Sequence, residues 1–208
     1  MKSKKALFLM FLILLAALVP VEQSFAASKN RPGDNSLWGS YISEEIEITL
    51  SGKPGISIVL EHSFGNIDVH KGQNSRIYIK GEKKVSSRDS DLAKKYLEAM
   101  ELRIDEKENR VIIRTYYPED EFSRGEKKKI KNFSISYSIE IPENTTLDIE
   151  NSFGNLDMDN ISGEFSVTNS FGKITAYDLD GKTELNNKFG SITAENISGD
   201  ARIANEHG

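Results

Sequence analysis

The residues of this chain that could do chemistry are few, and their spacing is strict. Four Asn-x-[Phe/His]-Gly units occur: Asn151-Ser152-Phe153-Gly154, Asn169-Ser170-Phe171-Gly172, Asn187-Lys188-Phe189-Gly190 and Asn205-Glu206-His207-Gly208. Each residue type in them recurs every 18 positions. An asparagine amide both donates and accepts, so a column of amides can bond from repeat to repeat at a corner or grip a polar ligand. Phe153, Phe171, Phe189 and His207 form a second column beside it. That column predicts stacked rings buried at the corner, with an exposed platform for sugar rings as the rival. An adjoining glycine in every copy favours the structural reading of both columns.

Residue sets that usually mark an enzyme are missing. His62, His70 and His207 stand at dissimilar repeat positions and at no metal-ligand spacing. There is no Gly-x-Ser-x-Gly elbow to pair with a histidine, and the absence of cysteine removes thiol chemistry and disulfides. Asp157, Asp159, Asp178, Asp180 and Glu195 invite a calcium reading. A nine-residue calcium roll, however, needs Gly-Gly-x-Gly-x-Asp in each half-turn. Here the halves read Gly-Asn-Leu-Asp-Met-Asp and Gly-Lys-Ile-Thr-Ala-Tyr, without the further glycines, and the acids do not persist down a column. A pectate-lyase-like face or a Thr-x-Thr ice-binding column is likewise missing. The sequence predicts no catalytic, cofactor-binding or metal-binding residue, and hence a protein that is not an enzyme. Asn132, Asn144, Asn160 and Asn196 fit the glycosylation pattern, but turn chemistry accounts for the repeated pair Asn160 and Asn196. Arg124, Lys127 to Lys129 and Lys131 form the one basic run, read as a solvated loop, with a contact to an anionic polymer as the alternative.

The elements that must carry these columns follow from the period. Gly163, Gly181 and Gly199 lie midway between Gly154, Gly172, Gly190 and Gly208, dividing each unit into two nines. Apolar positions recur with them: Leu156, Ile174 and Ile192; Met158, Ala176 and Ala194; Ile161, Leu179 and Ile197; Val167, Leu185 and Ile203. Each nine then holds one short strand of about five residues and a glycine turn, and two nines close a coil. The expected fold is all-β: a right-handed parallel β-solenoid or β-roll of 18-residue coils stacked about 4.8 Å apart. One short helix and an antiparallel hairpin insertion interrupt it.

Upstream, Glu45 to Leu50 alternates as a half-buried strand, and His62-Ser63-Phe64-Gly65 begins an isolated early copy of the repeat that runs to Val69. Arg76 to Lys80 supplies another strand. Asp89 or Ser90 can cap a helix running to Met100, with Leu92, Tyr96 and Met100 along one face. A hairpin through Leu102, Ile104 and Val111 to Tyr117 follows, then a charged loop from Pro118 to Lys131. Phe133, Ile135, Tyr137, Ile139 and Ile141 share one face of the longest clean alternation. The domain expected is 43–208, with the insertion at about 88–132 and regular repeats over 147–208.

Residues 1–26 read as a signal peptide: Lys2, Lys4 and Lys5, an apolar run from Ala6 to Val19, Pro20, and Ser24-Phe25-Ala26. The run is too short to span a bilayer, so no integral span is expected after cleavage. Residues 27–42 form a lead-in rich in turn formers. The mature chain carries a net charge of about −7, which disfavours nucleic acid and anionic membrane surfaces as partners. Export to the periplasm, cell surface or medium is expected.

Ile139-Glu140-Ile141-Pro142, Leu147 to Gly154, and Leu156 to Gly163 with its copies resemble the bacterial "putative adhesin" family of β-strand repeat domains, also called toastrack domains. The early Phe64-Gly65 unit, the helix insert and Val111-Ile112-Ile113 follow the same order, so the resemblance covers roughly residues 45–208. It implies an exported cell-envelope protein of unknown function on a parallel β-solenoid, with no agreed catalytic residues. The chain stops at the corner glycine of a repeat, which reads as a truncated sequence or an end that pairs with another chain. The function expected is a non-enzymatic envelope or surface scaffold or adhesion module. Its candidate partners are envelope polysaccharide or another protein at an exposed solenoid edge. The alternatives are a polysaccharide-acting enzyme on one solenoid face and a signalling or assembly accessory pairing through its open edge.

Overall fold

The structure, a computed structural model, describes residues 41–208. The signal peptide of 1–26 and the lead-in up to residue 40 lie outside the described residues. Twelve strands and two helices follow in order. These are β1 (Tyr41–Ser51), β2 (Ser57–Phe64), β3 (Ile67–Lys71), β4 (Arg76–Ser87), α1 (Ser90–Ala99), β5 (Glu101–Lys107) and β6 (Arg110–Tyr116). After them come α2 (Arg124–Lys127), β7 (Ile130–Ile141), β8 (Thr145–Phe153), β9 (Leu156–Phe171), β10 (Ile174–Phe189), β11 (Ile192–Ser198) and β12 (Ala201–His207). All strands join one 12-stranded sheet.

The fold is all-β, but the sheet is mixed, and this corrects the expectation of a parallel solenoid throughout. β9 pairs β10, β10 pairs β11 and β12, and β8 pairs β9, all parallel, while β1–β4, β4–β7 and β5–β6 are antiparallel. The parallel pairs hold the register of the sequence repeat: Ile174 sits between Leu156 and Ile192, and Asn187 between Asn169 and Asn205. Elsewhere no repeat fixes the partner: only β5 and β6 are joined by a tight turn, while β1–β4 and β4–β7 pair antiparallel across long intervening stretches of chain. The upstream copy pairs far along the chain, His62 opposite Asn151 and Ile67 opposite Leu156.

A second correction concerns strand length. Instead of two short strands per coil, β9 and β10 each run for 16 residues. Pairing continues through the bend, because Asn160 and Asp178 take φ values of 52° and drop out of the ladder while their neighbours stay paired. Each long strand therefore serves two runs of the sheet. Its first half continues β1-β4-β7-β3 towards β11, and its second half continues β5-β6-β2-β8 towards β12. The sheet curls, and the inward apolar columns of both runs meet in one core that includes Leu60, Ile67, Ile79, Ile113, Ile139, Leu147, Leu156 and Ile174.

Helix α1 connects β4 in one run with β5 in the other. Asp89 caps it by accepting from the Leu92 N–H at 3.1 Å, and Leu92, Ala93, Tyr96 and Leu97 are buried. The expected insertion does not interrupt the sheet, since β6 pairs β2 in parallel and joins the wall. Within the expected charged loop a short helix forms: Ser123 and Glu126 make a capping box. β1 starts at Tyr41, two residues inside the expected lead-in.

Candidate functional site: the repeat corner

The corner between the two sheet runs is where the sequence columns converge. The asparagines form a bonded ladder inside it. Asn151 Nδ2 donates to Asn169 Oδ1 at 2.8 Å, and Asn169 Nδ2 donates to Asn187 Oδ1 at 3.1 Å. Asn187 Nδ2 turns instead to the Gly172 carbonyl at 3.0 Å, as Asn205 Nδ2 turns to the Gly190 carbonyl at 2.9 Å. Asn151, Asn169 and Asn187 are buried, and Asn205, in the last strand, is exposed. With side chains committed to each other and to corner carbonyls, the buried part of this column has little left to offer a ligand.

The glycines leave room for the corner. Gly172 has φ +132°, and a Cβ there would collide with the Gly154 carbonyl oxygen, as one on Gly154 would with Gly65. Close approach of successive chain segments at the corner therefore requires glycine. Gly190 and Gly208 continue that column, and Gly163, Gly181 and Gly199 line the opposite bend, also at positive φ where the last three are concerned.

Phe153, Phe171 and Phe189 lie outside the core, which corrects the expectation that they pack within it. These residues are 45%, 42% and 37% exposed. They nevertheless stack: Phe64 on Phe153 at 5.2 Å, Phe153 on Phe171 and Phe171 on Phe189 at 4.8 Å, and Phe189 on His207 at 4.9 Å. The inter-ring spacing is set by the parallel ladder, so the stack inherits the strand spacing. At its inner end Phe64 meets Tyr117 and Phe133 edge-on, and these lead into Tyr96 and Phe122. The column thus begins in a half-buried aromatic cluster and emerges as a surface stripe.

Chemistry of that stripe follows from its geometry. Interplanar angles of 2° and 9° put each phenyl face against the next. Ring edges, which carry the positive end of the aromatic quadrupole, are what solvent sees. A sugar ring stacks on a free aromatic face, and such faces are used up inside the column. The exposed surface is an apolar ridge with Lys188 lying 5.7 Å from the Phe189 ring centroid.

His62 is the residue that sequence reasoning passed over. It occupies the asparagine column opposite Asn151, is 4% exposed, and lies edge-on to Tyr137 at 5.4 Å. Both its ring nitrogens, Asn151 Oδ1 and the Tyr137 hydroxyl are buried without a hydrogen-bond partner. Burial lowers the His62 pKa from 6.5 to about 4. The Gly65 backbone offsets this in part, although no bond of good geometry reaches the ring. The signal was legible: His62-Ser63-Phe64-Gly65 aligns letter for letter with Asn151-Ser152-Phe153-Gly154 except at its first residue.

Away from the corner, an open depression of about 540 Å³ lies on the outer face over β1, β4, β7 and β3, lined by Glu45, Glu82, Asp68, Lys80 and Lys84 among others. Burial, and then Asp157, push the Asp68 carboxyl above its ordinary range, with His70 opposing. Among the described residues no group of three or more His, Asp or Glu is placed to hold a metal. No helix among them is long and apolar enough to cross a membrane.

No family model matches the chain, and no curated protein matches it. Solved structures do. One is a "putative cell adhesion protein" from Clostridium sporogenes, 13% identical over 78% of this chain and 98% of that one, with a TM-score of 0.35. Another is a "putative lipid binding protein" from Parabacteroides distasonis, 12% identical over 78% of this chain and 62% of that one, with a TM-score of 0.37. A third is a "putative adhesin" from Bacteroides fragilis, 10% identical over 78% and 97% of the two chains, with a TM-score of 0.29. Identities and TM-scores this low do not establish the toastrack family for this chain and carry no argument about its function.

Proposed function

We propose that this chain is an exported, non-enzymatic envelope or surface module that adheres or scaffolds through the aromatic stripe at its repeat corner. One observation carries the reading. Phe153, Phe171 and Phe189 are large apolar rings held in a continuous stack yet exposed by 37–45%. Contiguous exposed aromatic side chains, unlike apolar residues scattered singly, often mark an interaction surface. The leader-like residues 1–26 support export. The 18-residue register of β8 to β12 supports a solenoid-like presentation, in which each added coil lengthens the ridge by one ring. Because ring edges rather than faces are displayed, an apolar protein surface suits the ridge better than a glycan does.

Retention of the full chain on isolated cell envelopes tests this reading. Saturable retention, reduced when the envelopes are first treated with protease, is expected. Retention on purified envelope polysaccharide alone would overturn the preference for a protein partner, and no retention on either would overturn adhesion.

A further inference from the structure

Wherever two strands of this sheet face each other across the core, the next pair covers their inward side chains. Among the described residues that covering stops at both ends of the two runs, at β11 and β12, which pair only β10, and at β1 and β5. Among the described residues β1 pairs only β4, and β5 pairs only β6. These two strands are the outermost members of the two runs, and between them lies a cleft of about 470 Å³ lined by five consecutive residues of β1, Glu44 to Ile48, and four of β5, Glu101 to Ile104. Met100 and Lys83 close its floor. Ile46, Leu102 and Ile104 pack against the core but stay only partly buried, whereas Ile48 and Leu50 further along β1 are buried. Helix α1 reaches this end and contributes Glu98 to the cleft.

The rim of the cleft is charged and unbalanced. Glu44, Glu45, Glu47, Glu98 and Glu101 line it, against Lys83 and Arg103. Part of this charge is already engaged: Lys83 Nζ contacts Glu44 at 3.1 Å and donates to the Met100 carbonyl at 3.3 Å, Glu98 lies 3.9 Å from Lys94, and Glu47 accepts from the Tyr78 hydroxyl at 2.7 Å. Arg103 contacts Glu101 at 2.7 Å and lies over the Tyr116 ring. Edge strands usually carry charge to prevent chance pairing. Here the charges on the β1 side are of one sign, so they repel acidic strands and select basic ones.

We propose that the free edge of β1 is a docking site for an extended, basic polypeptide segment that adds to the sheet as a further strand. The segment's backbone bonds to the N–H and C=O groups that alternate residues of Glu44 to Ile48 turn away from β4. Its inward apolar side chains cover Ile46, Leu102 and Ile104, and its Lys or Arg residues meet Glu45 and Glu47. Main-chain bonding supplies affinity in this mode, and alternate side chains supply specificity. The site is separate from the aromatic stripe and does not depend on the adhesion reading.

A labelled peptide of alternating lysine and valine, about nine residues long, tests the proposal by fluorescence anisotropy against the full chain. Saturable binding is expected. The same peptide with glutamate for lysine, and one N-methylated at alternate residues, should each bind at least tenfold more weakly. A Glu45→Lys/Glu47→Lys double variant with an unchanged far-UV circular dichroism spectrum should lose binding of the basic peptide by a similar factor. Absence of saturable binding to the parent chain overturns the proposal. So does equal binding of the N-methylated peptide, which would mean charge attraction without strand addition. Undiminished binding to a folded double variant would place the peptide elsewhere and overturn it as well.

Discussion

The two ends of this molecule reach one core by different means. At the repeat end, β8 to β12 solve each packing problem once and copy the solution at every eighteenth residue. Amide bonds to amide, ring stacks on ring, and glycine clears the corner. At the other end, β1, β4, β5, β6 and β7 share the core without sharing a pattern. Their partners are set by a mixture of antiparallel and parallel pairing, by the buried face of α1, and by individual contacts such as Arg114 to Glu61 across the parallel pair β6 and β2, at 2.7 and 3.0 Å. A repeat makes every position answerable to its copies, whereas an irregular end makes each answerable only to its neighbours. Sensitivity to substitution should differ accordingly.

The largest contrast concerns glycine. Gly172→Ala should cost at least about 4 kcal/mol or prevent folding, because left-handed backbone and a carbonyl collision combine there. Gly125→Ala in α2, whose Cβ meets nothing nearer than the Ser123 hydroxyl at 4.0 Å, should stay within about 0.5 kcal/mol. Denaturant titration of both variants measures the difference, and equal effects would break the comparison.

His62 sits where the two ends meet. Its folded pKa is depressed from 6.5 to about 4, so the unfolded chain takes up the proton more readily. The stability this contributes is complete above about pH 6.5 and is lost as pH falls towards about 4, reaching ~3 kcal/mol. A His62→Asn variant should lack this share of the acid sensitivity, and subtracting its stability profile from that of the parent isolates it from carboxylate titration. Parallel profiles between pH 6.5 and 4 would contradict the burial argument.

Asn169→Ala should follow, at about 2 kcal/mol, since it strands one Asn151 amide hydrogen and the Asn187 oxygen inside the corner, the other Asn151 hydrogen keeping the Gly154 carbonyl. Thermal unfolding reads the loss. Smallest is Phe171→Ala, at about 1 kcal/mol, set against about 4 kcal/mol for the buried Phe165→Ala. If Phe171→Ala proved as costly as Phe165→Ala, the stripe would be structural rather than a surface held out for contact.

The same contrast explains what could be read in the sequence. Register at the repeat end was legible because Leu156, Ile174 and Ile192 recur at fixed spacing, and identical side chains stack best on their copies. The helix capped by Asp89 and the buried face of Ile135, Tyr137, Ile139 and Ile141 were legible from local periodicity. Antiparallel pairing of β1 with β4, and of β4 with β7, was not, because alternation says which face is buried but not which strand lies alongside. Phe153, Phe171 and Phe189 misled because a ring beside a glycine corner can point to either side of the sheet edge. Spacing is identical in the two cases. His62 was legible by alignment with Asn151, but its unpartnered ring depends on Tyr137, which lies 75 positions away in the chain.

Under the proposed function the repeat corner divides its labour: asparagines and glycines hold the fold, and phenylalanines make the contact. The most direct test is the binding isotherm, on isolated envelopes, of a Phe153→Ser/Phe171→Ser/Phe189→Ser chain beside its parent. The account predicts a folded variant whose retention falls at least tenfold. A folded variant that binds as tightly as the parent would contradict it.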